Sequence, residues 1–389
     1  MKPPKHILPL IVLSQFLCTS LWFAGNAVLG DLMANFGLTD TALGHLTSAV
    51  QLGFIAGTLL FALFTITDRY SPSKVFMVCA TLGAGANLAM IWDGHGLGSL
   101  LTLRFLTGFF LAGIYPVGMK IAADYYTKGL GQSLGYLVGA LVLGTAFPHW
   151  LRGTSADLSW HVVLLTTSGF AILGGLLMRF GVADGPYRQQ STGLDLMAVF
   201  KVFKNANFRS AAFGYFGHMW ELYAFWAFVP VMLTAYIQLH PTYTFNIPMW
   251  SFAIIAIGGL ACVGSGYLSA YLGAKRVAFV SLLFSGLCCL VSPWLFTQSS
   301  SYLFLGYLLF WGMAVVADSP LFSTLVAQNT SAQLKGTALT IVNCLGFSIS
   351  IVSILLVSHF LPLLGAQYSY ILLAIGPIVG LIALSLKKK

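Results

Sequence analysis

Residues 207 to 236 read NFRSAAFGYFGHMWELYAFWAFVPVMLTAY, a single long apolar helix. From Ser210 to Ala274 the chain carries one Asp, Glu, Lys or Arg, and it is Glu221, three residues after His218. A lone carboxylate inside an apolar helix is costly, and a bilayer-spanning chain rarely keeps one without a use. Glu221 is therefore the first candidate for function, and the fold follows from asking how many helices of this kind surround it.

Of the 389 residues, 58% are hydrophobic and 7% are charged, against about a quarter charged in soluble domains. The apolar runs are long enough to cross a bilayer as helices, which takes ~20 residues, and the short alternating segments of a barrel are absent. The six cysteines, Cys18, Cys79, Cys262, Cys288, Cys289 and Cys344, fall inside apolar runs without zinc spacing and read as packing residues, with no disulfide framework.

Lys2 and Lys5 precede the run Ile7 to Leu29, too long for a signal peptide and read as a retained first span. The other spans fall near 41–65, 74–92, 98–122, 130–150, 160–181, 208–236, 248–272, 276–296, 300–327, 335–361 and 366–386, twelve in all. The charges test the count. With both termini cytoplasmic, 17 of the 19 basic residues lie inside; Arg152 is outside and Arg104 is within a span. This bias follows the positive-inside rule, and it accounts for the net charge of +9 without a nucleic-acid partner. The longest loop, 183–207, holds Gly185-Pro186, Arg188, Asp195, Lys201 and Lys204. It reads as a cytoplasmic linker between bundles at 1–182 and 208–389.

The halves repeat. Phe64 to Lys74 after span 2 matches Gly266 to Arg276 after span 8, at an offset near 202. Gly108 through Pro116 matches Gly312 through Pro320 at 204, the offset that also relates Trp22 to Trp226. Matches at nearly constant offset indicate duplication, the usual build of a secondary transporter.

Asp68-Arg69 followed by Lys74 resembles the signature loop of the major facilitator superfamily, roughly Gly-x-Leu-x-Asp-Arg-x-Gly-Arg-Arg, with Phe64 and Ser71 in place of its glycines. Arg104-Phe-Leu-Thr-Gly108 resembles the family's Arg-x-x-x-Gly element. The drug-antiporter pattern of span 5 is met only by Gly135, Gly139 and Gly144; Ala140 stands where proline is expected and Thr145 where the last glycine is expected. The resemblance implies an all-α integral membrane protein of two pseudo-symmetric six-helix bundles, both termini inside. It also implies a central cavity lined by spans 1, 4, 7 and 10, and alternating access.

Those spans carry the intramembrane ionisable residues. Glu221 lies twelve residues past Arg209, ~18 Å along a helix and near the bilayer midplane. His218 is on the same face. Burial disfavours the charged form of both, so they are candidates for proton coupling; the alternative is a structural hydrogen-bond pair. Asp318, beside Pro320, is a candidate for proton or substrate binding or a cap at a helix bend. Arg104 is a candidate for proton transfer, a role implied by the resemblance, for pairing with an acidic residue, for attracting an anion, or for snorkelling to the outer interface. Uncharged candidates for substrate contact are Gln15, Asn26, Tyr115, Tyr136, Trp220, Tyr223, Trp226 and Asn343, with Gln51, Gln132, His149 and Trp311 beside them. Asp68, Arg69 and Lys74 are expected by resemblance to form a cytoplasmic latch between the halves; the alternative for Arg69 and Lys74 is topology signalling.

No Walker loop, kinase loop or nucleophile elbow is present, and no clustered nucleophile and base or metal ligands point to an intramembrane enzyme. The expectation is a monomeric secondary transporter without cofactor or metal, in the plasma membrane (the bacterial inner membrane), moving a small solute with protons. The incomplete span-5 pattern favours symport. Arg104 favours an anionic metabolite, while two buried carboxylates serve a cation equally. The rival is a proton-driven antiporter exporting a drug or toxic metabolite.

Overall fold

The structure, a computed structural model, describes residues 4–126, 130–155, 158–188, 198–331 and 334–386. Lys2, Lys128, Asp195, Lys387 to Lys389 and the side chain of Gln132 lie outside the described residues. Among the described residues every regular element is helical. In chain order these are α1 (Ile7–Thr19), α2 (Ala24–Ala27), α3 (Leu29–Phe36), α4 (Ala42–Leu63), α5 (Ile66–Arg69), α6 (Pro72–Ala89), α7 (Leu97–Leu111), α8 (Tyr115–Tyr125) and α9 (Leu130–Gly153). They continue as α10 (Trp160–Gly181), α11 (Ala198–Val202), α12 (Ala206–Leu239), α13 (Ile247–Leu272), α14 (Ala274–Thr297), α15 (Ser301–Ala317), α16 (Ser319–Gln328) and α17 (Lys335–Ser369), then a 3₁₀ turn (Tyr370–Ala374) and α18 (Ile375–Ser385).

Nine helical stretches of the described residues are long and apolar enough to cross a membrane. The longest, Lys335–Ser385, has 51 residues. At 1.5 Å per residue that is ~77 Å, two passes rather than one, and the backbone leaves helical geometry at Gly365 (φ 73°). With Pro72–Ala89 and the interrupted segment Ile7–Phe36, the twelve spans of the sequence reading are accounted for.

The first span differs from the continuous helix expected over 7–29. It runs on to Phe36 and is broken after Thr19 and again at Val28. Thr19 and Ser20 turn their hydroxyls back onto the carbonyls of Gln15 and Leu17, a back-bonding that bends helices. The carbonyls freed at Leu21 and Trp22 are taken by Arg104.

Contacts divide the chain into two units, Met1–Leu194 and Asp195–Lys389. In the first, α4 packs on α7, and α1 packs on α9 and α10. In the second, α12 packs on α16, α17 and α18, and α13 and α14 pack on α15. The two are built alike. Span 4 is broken between α7 and α8 and span 10 between α15 and α16, and both pairs begin 204 residues apart, Leu97 with Ser301 and Tyr115 with Ser319. Each second segment starts with proline at its second position, Pro116 or Pro320, where the missing N–H costs nothing. A Cβ on Gly108 would collide with the Val50 carbonyl oxygen, and one on Gly312 with that of Ile254; these partners too are 204 apart.

Close backbone approach through glycine is how membrane helices gain contact without a hydrophobic driving force. Gly312→Ala is therefore expected to destabilise the protein by about 1–3 kcal/mol through overpacking. Gly306→Ala in the same helix, where a Cβ meets nothing within 4 Å, is expected to be neutral. Thermal unfolding of the two variants in detergent checks this.

Candidate functional site

Asp318 is the hinge residue of span 10. It ends α15 and begins α16, and its carbonyl accepts from the amides of Leu321 and Phe322. Its carboxylate oxygen Oδ1 lies 2.7 Å from His218 Nδ1 on α12, and both side chains are 1% exposed. The pair sits at ion-pair distance without the alignment of a hydrogen bond. Neither His218 Nε2 nor Asp318 Oδ2 finds a hydrogen-bond partner among the described residues. The rings of Tyr215 and Phe322 flank the imidazole, each with its centroid 6.0 Å away. The result is an acid and a base held together in an apolar shell at a helix break, each with one polar atom unspent.

Glu221 does not share this site, and His218 is not its partner. Its carboxyl turns to α14 and α15: Trp311 Nε1 donates to Oε1 at 2.6 Å, Cys289 Sγ to Oε1 at 3.3 Å and Ser285 Oγ to Oε2 at 2.8 Å. Three residues on a helix advance about 300° of rotation, so side chains at 218 and 221 start some 60° apart, enough to reach different neighbours. Trp311 is fixed by Phe225 and Tyr307, at ring distances of 4.6 and 5.5 Å. Cys289 was read from sequence as a packing residue and Ser285 was not singled out; their spacing of four puts both on one face of α14, which is the signal that finds them.

The uncharged candidates of this unit have mixed surroundings. Trp220 Nε1 donates to the Leu372 carbonyl at 3.0 Å, which ties α12 to the 3₁₀ turn. Tyr223 and Trp226 are buried and pack edge to face, with Tyr223 also against Phe347. Asn343 is half-buried on α17. Behind Glu221, a groove of about 390 Å³ between α14 and α15 is lined by Phe284, Cys288, Val291, Tyr307 and Phe310 among others, and holds none of the candidates.

In the first unit Arg104 is fully buried and its partners are backbone carbonyls. Nη1 donates to Leu21 at 3.2 Å and Nη2 donates to Trp22, while Gly25 lies against the guanidinium. This is neither a snorkelling arginine nor a carboxylate's partner; it closes the break in span 1. Its Nε has no hydrogen-bond partner among the described residues. The same holds for the amide of Gln15, which is fully buried, its oxygen pressed against Gly118. Asn26 Nδ2 donates to Thr47 Oγ1 at 2.7 Å, joining α2 to α4. Tyr115 and Tyr136 are half-buried. His149 is buried on α9 and Gln51 on α4.

The loop residues make their contacts within the first unit. Asp68 pairs with Lys120 on α8 at 2.8 Å rather than with its neighbour Arg69. Arg69 Nε donates to Thr65 Oγ1 at 3.2 Å, and Lys74 is exposed. A residue not singled out from sequence, Arg188, organises this loop. Its guanidinium donates to Asp184 at 2.7 Å and to the carbonyls of Asp68 and Tyr70 at 3.0 and 2.8 Å. Ser71 also donates to Asp184, Tyr125 to the Ala183 carbonyl, and the Tyr187 amide to the Asp124 carbonyl. Residues 183–188 are thereby strapped to α5 and α8.

Known proteins share this architecture. The chain is 26% identical over 241 residues to the uncharacterized transporter YgaY of Escherichia coli O157:H7, a match covering 58% of this chain and 59% of that one. It is 28% identical over 181 residues to the 4-hydroxybenzoate transporter PcaK of Pseudomonas aeruginosa, covering 43% and 36%. The match thus spans little more than half the length of these curated relatives at most. The solved structure of the human organic anion transporter MFSD10 (TETRAN) superposes with a TM-score of 0.77 at 15% identity, over 99% of this chain and 100% of that one. The family model of the Major Facilitator Superfamily matches residues 11–354, and with its twelve spans and internal duplication the chain belongs to that superfamily.

Proposed function

We propose that the chain is a secondary active transporter that takes up a small anionic metabolite together with protons. One observation carries the coupling: the buried His218–Asp318 contact of 2.7 Å at the break between α15 and α16. Taking two charges out of water costs several kcal/mol per ion, repaid only when the remaining hydrogen-bonding positions are also satisfied. Here one atom on each side is not satisfied. A pair so placed is disrupted when a proton neutralises the carboxylate, and buried acid–base pairs of this kind cluster at functional sites. Protonation of Asp318 removes its attraction for an imidazolium. Because its backbone forms the break, a change at the side chain is felt where α16 begins.

The anionic class is supported by the first unit, where Arg104 Nε and the Gln15 amide are buried donors without hydrogen-bond partners among the described residues. The relative named for 4-hydroxybenzoate transport points the same way. One monoanion entering with one proton moves no net charge.

The test is a thermal-shift panel of small carboxylates and organic cations, followed by proteoliposome uptake of the hits, with 4-hydroxybenzoate as the reference probe. A ligand at a hundred times its Kd stabilises by about 2.7 kcal/mol. The expected result is stabilisation by carboxylates and accumulation driven by an inward proton gradient. Stabilisation by cations alone, with accumulation driven by the opposite gradient, overturns the reading in favour of an exporting antiporter.

A further inference from the structure

Glu221 is the only glutamate in the chain, and its surroundings differ in kind from those of Asp318. All three of its partners are neutral donors, and among the described residues it forms no ion pair. The charged or titratable groups around it are Cys288 and Cys289 on α14, Tyr307 on α15, Asp318 at the end of that helix and His218 on its own. None is a lysine or arginine. An ionised Glu221 is therefore held by hydrogen bonds alone.

Ser285 is the informative partner. Its Oγ lies 2.8 Å from Glu221 Oε2 and 3.2 Å from the Leu282 carbonyl, so one hydroxyl proton has two acceptors. With Glu221 ionised, Ser285 donates to the carboxylate, beside Trp311 and Cys289. With Glu221 protonated, Oε2–H donates to Ser285 Oγ and the serine proton turns to Leu282. Trp311 and Cys289 go on donating to Oε1 in both states. Each state thus has a complete set of hydrogen bonds, and the two differ by one proton on Glu221 and one rotation of a serine hydroxyl. A buried polar group left unsatisfied costs about 1–3 kcal/mol, and neither state leaves one at this site. Asp318 has no such second pattern.

We propose that Glu221, with Ser285 as its two-way hydroxyl, is a second proton-binding site of this unit, separate from the His218–Asp318 pair. It binds and releases a proton with one rotation of a serine hydroxyl. Its link to the pair is α15, which carries Trp311 seven residues before Asp318, two turns or about 10 Å away. The site stands independently of whether Asp318 couples transport.

Because no other glutamate is present, the site can be read in the unmodified protein. Protein made by cell-free synthesis with side-chain ¹³C-glutamate and reconstituted without substrate is followed by infrared spectroscopy across pH. The expected result is a label-sensitive carbonyl stretch of a protonated carboxylic acid that gives way, as pH rises, to label-sensitive carboxylate bands. Ser285→Ala removes the acceptor of the acid proton and is expected to move the labelled acid band to higher frequency. Asp318→Asn is expected to retain a label-sensitive change from acid to carboxylate bands. A label-sensitive signal that is carboxylate at every pH, or acid at every pH at which the protein stays folded, overturns the proposal, as does an acid band that Ser285→Ala leaves unmoved.

Discussion

Asp318→Asn is expected to reduce proton-driven accumulation to no accumulation at all, while exchange of substrate without a gradient continues. With one coupled proton, each pH unit of gradient supports a tenfold concentration ratio. Wild-type protein under a gradient of about two units should therefore accumulate substrate up to about a hundredfold, and the variant should stop near a ratio of one. Asparagine keeps the size of the side chain and a polar oxygen toward His218. It cannot gain or lose a proton in this range. The backbone contribution of residue 318, its carbonyl at the amides of Leu321 and Phe322, is unchanged, so the bend between α15 and α16 survives. Parallel proteoliposome assays of gradient-driven uptake and of equilibrium exchange separate the two functions. Full accumulation by the variant would remove Asp318 from the coupling, and loss of both activities would make it a substrate or folding residue instead.

That prediction falls on a residue visible in the sequence, but the pairing behind it was not. The number of spans and the duplication were legible because they rest on properties summed over many residues: apolar length and a constant offset. Even the breaks in spans 4 and 10 were half-visible in Pro116 and Pro320. What was hidden is which way a side chain leaves its helix. His218 and Glu221 lie three residues apart and were read as partners. Their separation around the helix sends one to Asp318, a hundred residues on, and the other to Ser285, Cys289 and Trp311.

The same limit applies to the loop. Asp68 was legible as a contact-forming acid, but Lys120 and Arg188, which engage it, are 52 and 120 residues away. Arg188 looked like one of several linker charges. Its geometry shows a planar, multi-donor group gathering carbonyls, a task for which lysine is poorly suited.

Arg104 gives the second large effect, and it is expected first in stability. From sequence, the residue could draw an anion, pair with an acid or reach the outer surface. In the structure its two terminal nitrogens bond the carbonyls of Leu21 and Trp22, the groups exposed where α1 ends and span 1 has not yet resumed as α2. Irregular backbone at membrane depth persists only where protein or water satisfies it, and each buried carbonyl left without a donor costs about 1–3 kcal/mol. Arg104→Gln, with one amide group for two carbonyls, is expected to lose about 1–3 kcal/mol of stability by these figures. Arg104→Lys keeps the charge but not the fork, and should fall between glutamine and wild type. Unfolding in detergent checks both variants. Anion recognition through Nε would add a second signature, a raised KM for carboxylate uptake in Arg104→Lys beyond what its loss of folded protein explains. If Arg104 served only to attract substrate, KM would rise while the unfolding temperature stayed where it was. The break in span 1 then would not depend on the two bonds that Arg104 donates to it.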